Sequence, residues 1–420
     1  MRNISPNFNF VLYLIGRMVS DTGTGIQMMI MPLYIIDAGG SAATVGLFSF
    51  LALVPALLVF PFAGVLGDRL NRKTIMVITD FVSAVVILFL AFLSYSGAMS
   101  LTLLLGAQVI ISLLNGLFDP ATKGMLPRLV PQGQLTRANS KVASLRGLAM
   151  LLGPVIGAAL YTRFGITMLF QINGISFLLS GISEILIRYT HVPRELEKGI
   201  RGIAAELSGG IGFILANNAI RRLCLLFLVV YALVQPIFSV ALPLFYKSSL
   251  VYPDTHYGYL QSMTVLGMLL GSVVVGMVFG KGEDMKRPLK IGSLLLMVTM
   301  LSFALLMFPG ILFVLGNGSI AYFVLLAGVL SLFSMAVMFI NVPVQSFIQR
   351  ETPNEYMSRV FSIVGIITRG GMPFGALVYG FALNRAEVHW TVLTAALLMA
   401  VVSFVFLSSL SGQHSFRKEP

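Results

Sequence analysis

The chain has 420 residues, 57% of them hydrophobic and 10% charged, with a mean hydropathy of +0.91 and a net charge of +12. Soluble domains carry about 25% charged residues, so this composition in a water-soluble fold would leave apolar surface everywhere. A soluble globular protein is excluded, and the lone cysteine, Cys224, excludes an intrachain disulfide.

Apolar runs of about 20 residues, each long enough to cross the hydrocarbon core of a bilayer, recur along the whole sequence. Only helices satisfy their own backbone within one such segment. The pattern predicts an all-α integral membrane protein with twelve transmembrane helices, over 10–36, 43–66, 74–96, 101–125, 138–161, 165–188, 221–246, 257–280, 289–309, 320–345, 357–381 and 389–410. The first run continues from Phe8 to about Ile36 without a small-residue cleavage site, so it reads as a span and not as a secretory signal.

Between the second and third spans lies Gly64-Val65-Leu66-Gly67-Asp68-Arg69-Leu70-Asn71-Arg72-Lys73. So short a loop makes its flanking helices antiparallel neighbours, and Gly64 and Gly67 let them approach closely. Asp68 beside Arg69, Arg72 and Lys73 forms a charge lock that can pair or unpair as helices move. Between the fourth and fifth spans come Asp119-Pro120-Ala121, Leu126-Pro127-Arg128-Leu129-Val130-Pro131 and Ala138-Asn139-Ser140. The fifth span carries Ala149-x-x-x-Gly153-Pro154-x-x-Gly157, whose small residues open a groove for a neighbouring helix while Pro154 permits a bend. The longest polar break, 189–220, separates an N-terminal six-helix bundle (1–188) from a C-terminal one (221–410), with a tail at 411–420. Within the break, Ile200 to Leu215 reads either as an amphipathic helix on the cytoplasmic face or as a plain linker.

Twelve spans put both termini on one side. On that side lie 22 of the 28 Lys and Arg residues; only Arg163, Lys247 and Arg385 fall on the other, and Arg17, Arg146 and Arg369 lie within spans. The positive-inside rule makes the termini cytoplasmic and accounts for the net charge without nucleic-acid binding.

The two halves repeat each other. Pro32-Leu33 recurs as Pro243-Leu244, and Arg128, Pro131 and Arg137 recur as Arg350, Pro353 and Arg359. Gly153-Pro154-x-x-Gly157-Ala158 has a looser echo in Gly371-Met372-Pro373-x-Gly375-Ala376, and Gly64-x-x-Gly67 is echoed from Gly276 to Arg287 without a counterpart of Asp68. An ordered series at nearly constant offset indicates a duplicated six-helix unit and two pseudo-symmetric bundles.

The run Gly64, Asp68, Arg69, Arg72, Lys73 resembles the signature loop between helices two and three of the major facilitator superfamily of secondary transporters. The fifth-span motif resembles the antiporter signature of its drug-exporting members, with Ala149 replacing the first glycine. The segment after Asp119, and Gln349-Arg350-x-x-Pro353-x-Glu355 with Arg359-Val360-Phe361-Ser362, are similar to a bacterial drug-exporter subgroup that includes macrolide-efflux and enterobactin-exporter-like proteins. The resemblance covers essentially the whole chain. It implies the major facilitator fold, a substrate site between the bundles near the midplane, a monomer, and an inner gate in which Asp68 engages the start of helix eleven.

Charged groups inside a membrane are costly and are functional candidates by default. Arg17 and Asp21 share one face of the first helix. Asp21 reads as the one deeply placed carboxylate, either a proton site modulated by Arg17 or a permanent structural pair with it. Arg146 and Arg369, on the fifth and eleventh helices, could join these in one switchable network. Asp80 and Asp119 lie nearer the cytoplasmic ends, where they group with Asp68 in the inner gate; Asp119 is also a proton-coupling candidate. Glu184 and Arg188 read as an ordinary helix-end pair. Polar and adaptable groups for the substrate cavity are Gln27, Met28, Tyr34, Asn115, Arg146 and Tyr231, together with Gln235, Phe238, Gln261, Asn341, Gln345 and Arg369.

No G-x-x-x-x-G-K-[ST] loop occurs, so ATP hydrolysis is not expected. The four histidines form no metal-ligand spacing, no Ser–His–Asp arrangement can be argued, and no cofactor is expected. The sequence therefore predicts a non-enzymatic secondary transporter in a bacterial inner membrane, exporting amphipathic drugs or secondary metabolites in exchange for protons by alternating access. The alternative is a transporter of a specific anionic metabolite, siderophore or lipid, with Arg146 and Arg369 as clamps. A channel or a transport-derived sensor is the remaining possibility.

Overall fold

In the helix Arg72–Tyr95 the exposed side chains include Ile78, Val82, Val85, Phe89 and Phe92, while Thr79, Asp80 and Ser83 are buried. Near the end of the first half, Ile175, Leu179, Ile182 and Leu186 face outward and Asn173, Ser176, Ser180 and Glu184 inward. Polar-in and apolar-out is the reverse of a soluble bundle, and it suits helices surrounded by hydrocarbon.

The computed structural model describes residues 6–69, 71–131, 134–188, 208, 211–279, 286–352 and 357–411. Its helices are α1 (Pro6–Asp37), α2 (Ala42–Arg69), α3 (Arg72–Tyr95), α4 (Leu101–Leu129), and α5 and α6, the two arms of Leu135–Leu186. They continue as α7 (Asn218–Ser249), α8 (Asp254–Phe279), α9 (Lys286–Leu306), α10 (Ile320–Glu351), α11 (Met357–Leu383) and α12 (Val388–Ser411), with a short helix at Pro309–Leu315 before α10. Among the described residues, ten stretches are long and apolar enough to span a membrane. One of these contains both α5 and α6, and α1, interrupted by its own polar residues, completes the expected twelve. The fold is all-α, as expected.

Local chemistry sets the ends and bends. Asn71, Ser100, Asn217 and Ser319 cap α3, α4, α7 and α10, each accepting a hydrogen bond from a backbone N–H of the first turn. Gly165 reverses the chain between α5 and α6 at φ 72° and ψ −174°, a conformation that only glycine adopts without strain. Pro236 precedes a π turn at Ile237–Ala241 in α7, where the ordinary i→i+4 ladder is widened.

By contact the chain forms two units. One takes in α1, most of α2, α3–α6 and the first turn of α8; the other takes in the opening turns of α2 and α7–α12. In the first unit α1 and α3 pack on the α5–α6 hairpin and α4 packs on α3 and α1. In the second, α11 packs on α7, and α9 on α10 and α12.

Several expected features lie outside the described residues: most of the 189–220 break, of which 211–216 are helical, and the tail beyond Ser411. Gly64, Gly67, Asp68 and Arg69 fall where only the helical backbone of α2 is described, and the side chain of Arg369 is likewise outside.

Candidate coupling site

Helix α1 places Tyr13, Arg17 and Asp21 one turn apart on one face. The Arg17 side chain is 9% exposed, and its Nη2 donates to Asp21 with both carboxylate oxygens at 3.0 Å. The same nitrogen lies 4.0 Å from Asp119 Oδ1 on α4. The guanidinium also stands over the Phe118 ring, 4.9 Å from its centroid, a cation–π contact. From α5, Arg146 Nε approaches Asp21 Oδ2 at 3.9 Å, with its own side chain 54% exposed. Three helices thus bring together Arg17, Asp21, Asp119 and Arg146; the sequence paired the first two and offered Arg146 to the same network, while Asp119 was offered apart from them. Asp21 sits between two guanidinium groups.

The structure corrects two readings. Asp21 is not the one deeply placed carboxylate: Asp80 is 1% and Glu184 2% exposed. Asp80, two turns into α3, is buried, and its Oδ2 has no hydrogen-bond partner among the described residues. Glu184 is no solvated helix-end residue, because its face of α6 is covered even in the last turn while Ile185 and Leu186 face outward. Asp119, offered both for the inner gate and for proton coupling, lies 4.0 Å from Arg17. Tyr13, 4% exposed, closes the cluster from α1 and donates its hydroxyl to the Thr122 carbonyl at 3.2 Å.

Two of the loop-motif cations bind helix ends. Arg72 donates Nη1 to the Gly124 carbonyl of α4, and Lys73 Nζ donates to the Ile185 carbonyl of α6 at 2.7 Å. Cations at carbonyls near helix C-termini gain from the helix dipole. The antiporter-like motif packs as its small residues suggest: a Cβ on Gly157 would lie 2.9 Å from Ile26 of α1, so glycine there lets the two helices close. Gly153 also faces Ile26, Pro154 is buried, and Ala149 is half-buried.

The cavity candidates divide. Gln27 is buried, and its Oε1 accepts from Asn173 Nδ2 at 2.6 Å, a cross-helix bond in which Asn173 had not been foreseen. Met28 and Asn115 are half-buried, and Tyr34 meets Phe170 edge-on at 6.4 Å. In the second unit Asn341 Nδ2 donates to the Tyr231 hydroxyl at 2.8 Å, joining α10 to α7. Phe238 packs on Phe333 at the π turn, Gln235 is half-buried beside it, Gln261 is buried on α8, and Gln345 is exposed. Among the described residues no group of three or more His, Cys, Asp or Glu side chains is placed to hold a metal ion.

The sequence profile of the Major Facilitator Superfamily matches residues 13–376. The chain belongs to this superfamily. It is a multi-pass membrane transporter, of a class that is not enzymatic. It is 24% identical over 401 residues to macrolide efflux protein A of Streptococcus pyogenes, covering 94% of this chain and 95% of that one. It is 23% identical over 411 residues to the multidrug efflux pump Tap of Mycolicibacterium fortuitum, covering 94% of each. Among solved structures, the nucleoside transporter NupG superposes with a TM-score of 0.75 at 15% identity, over 96% of this chain and all of the other; this likeness shows the fold. The superfamily and the drug-exporter resemblance read from the loop and fifth-helix motifs are both supported.

Proposed function

We propose that this protein is a proton-coupled exporter of amphipathic small molecules, working as a monomer by alternating access in a bacterial cytoplasmic membrane. The observation that carries the reading is the clamp of Asp21 between Arg17 and Arg146. Protonating Asp21 cancels both attractions in one step. Arg146, more than half exposed on α5, is then released from α1, so a proton changes the contact between two helices. Proton loss restores the clamp. The names of the efflux relatives support outward movement. The 22-to-3 distribution of basic residues supports cytoplasmic termini, and with them proton release on the side where Arg72 and Lys73 lie.

The test is substrate-driven proton flux in proteoliposomes, with wild type and Asp21→Asn compared over cationic, neutral and anionic amphiphiles. The expected result is proton flux with cationic or neutral compounds in wild type, lost in Asp21→Asn. Flux with anions alone would move the assignment to the carrier of an anionic metabolite, siderophore or lipid, with Arg146 as the clamp. Undiminished coupled flux in the variant would remove Asp21 from the coupling role.

A further inference from the structure

Asp119 takes no part in the clamp on Asp21, yet its Oδ1 lies 4.0 Å from Arg17 Nη2, the nitrogen that holds Asp21 at 3.0 Å. Asp21 shares a helix with Arg17, whereas Asp119 reaches it from α4. Tyr13, one turn before Arg17, donates its hydroxyl to the Thr122 carbonyl at 3.2 Å, and the Thr122 hydroxyl donates to the Asp119 carbonyl at 2.9 Å. These bonds pin α1 to α4 within about one turn of both charges. The Phe118 ring, next to Asp119 on α4, carries the Arg17 guanidinium 4.9 Å from its centroid. A planar guanidinium on an aromatic face can turn while keeping that contact. Arg17 therefore has a short path from one carboxyl to the other.

Burial decides which cation needs a partner. The Arg17 side chain is 9% exposed, and a buried charge left without its counter-ion is strongly destabilising. Arg146, 54% exposed, meets water when it lets go of Asp21. Among the described residues Arg17 forms ion pairs with Asp21 and Asp119 alone. Asp80 of α3 and Glu184 of α6 are buried but make none with it. With Asp21 ionised, two guanidinium groups face two carboxylates. A proton on Asp21 leaves two facing one, and that one is nearest to the cation that water reaches least.

We propose that Asp119 is the alternate seat of Arg17: when Asp21 takes a proton the Arg17 guanidinium passes to Asp119, and when the proton leaves it returns. This rests on the proton-coupled reading above and deepens it. The proton binds a carboxylate oxygen of Asp21 and goes no further, so Asp119 is a positioning residue. Two ties change with it. The Arg146–Asp21 contact, which holds α1 to α5, is lost, and an Arg17–Asp119 bond, which holds α1 to α4, is made. One proton thus exchanges the helix to which the charged face of α1 is held.

Unfolding temperatures of the full-length protein in nanodiscs test this as a double-mutant cycle, with Asp21→Asn standing for the protonated state. Asp119→Asn should lower the unfolding temperature little when Asp21 is present, and at least twice as much in the Asp21→Asn background. Adding Arg17→Met to Asp21→Asn with Asp119→Asn should remove the extra loss, because no buried cation is then left unpaired. If the protein carrying Asp21→Asn and Asp119→Asn does not fold, the same Arg17→Met addition should restore a folded protein. An equal cost of Asp119→Asn in both backgrounds, an extra loss that survives Arg17→Met, or no restoration of folding by it would overturn the proposal. A merely structural Asp119 would cost the same whatever stands at position 21. The measurement needs no transported substrate, so absence of substrate-driven proton flux in wild type would defeat the exporter reading and leave the result of the cycle separately visible.

Discussion

Replacing Arg17 with alanine is expected to stop transport and to lower stability by about 3–5 kcal/mol, the usual cost of removing one partner from a buried ion pair. The side chain is 9% exposed and bonds Asp21, with Asp119 Oδ1 4.0 Å away. Without it, Asp21 keeps only the half-exposed Arg146 at 3.9 Å. Thermal unfolding of purified Arg17→Ala beside wild type should show this deficit. Arg17→Lys should recover part of the stability and little of the transport, because an ammonium lacks the planar fork. Full stability in Arg17→Met, an uncharged side chain of similar length, would mean that Arg17 acts by packing on Phe118, 4.9 Å away, and not by charge.

The legible part of this protein is the part written in local pattern. Helix existence followed from apolar run length, and four helix starts carry Asn or Ser at the capping position. Arg17 and Asp21 could be paired from sequence because they are four residues apart on one helix. Asp119 and Arg146 reach the same cluster from other helices, and no local rule joins residues so far apart in the chain. Glu184 was misread for a different reason. Hydropathy ranks a position by its distance from the end of a span, whereas burial depends on which neighbour covers that end. The signal was present nonetheless: Ser176, Ser180 and Glu184 fall at intervals of four, a polar stripe opposite the apolar Ile175, Leu179 and Ile182. Gln27, offered as a cavity group, accepts from Asn173 on another helix, a partner that no local pattern foretells.

Gly46→Val and Gly258→Val are expected to impair transport equally, and each to do so without unfolding the protein. Gly46, on the opening turns of α2, seats against the Ala376 carbonyl and Gly380 of α11 within the second unit. Gly258, on the first turn of α8, seats against Pro154 and Ala158 of α5 within the first; a Cβ there would lie 2.5 Å from the Pro154 carbonyl oxygen. The two glycines are 212 residues apart, and the partners Pro154 and Ala158 are each 222 residues from Ala376 and Gly380, so the internal repeat maps one seam onto the other. In both, a helix backbone lies on a backbone carbonyl, where only glycine leaves room. Overpacking such a contact costs about 1–3 kcal/mol. Each tenfold population change corresponds to about 1.4 kcal/mol, so a conformer that contains the closed seam would be depleted by roughly 5-fold to more than 100-fold. Turnover in proteoliposomes should fall by a similar factor in each valine variant and less in the alanine variants, with unfolding temperatures changed little. On the proposed alternating-access reading, these two seams are contacts that close and open during the cycle. Unequal losses would show that one repeat carries the movement, and wild-type turnover in both would mean that neither seam has to close for transport.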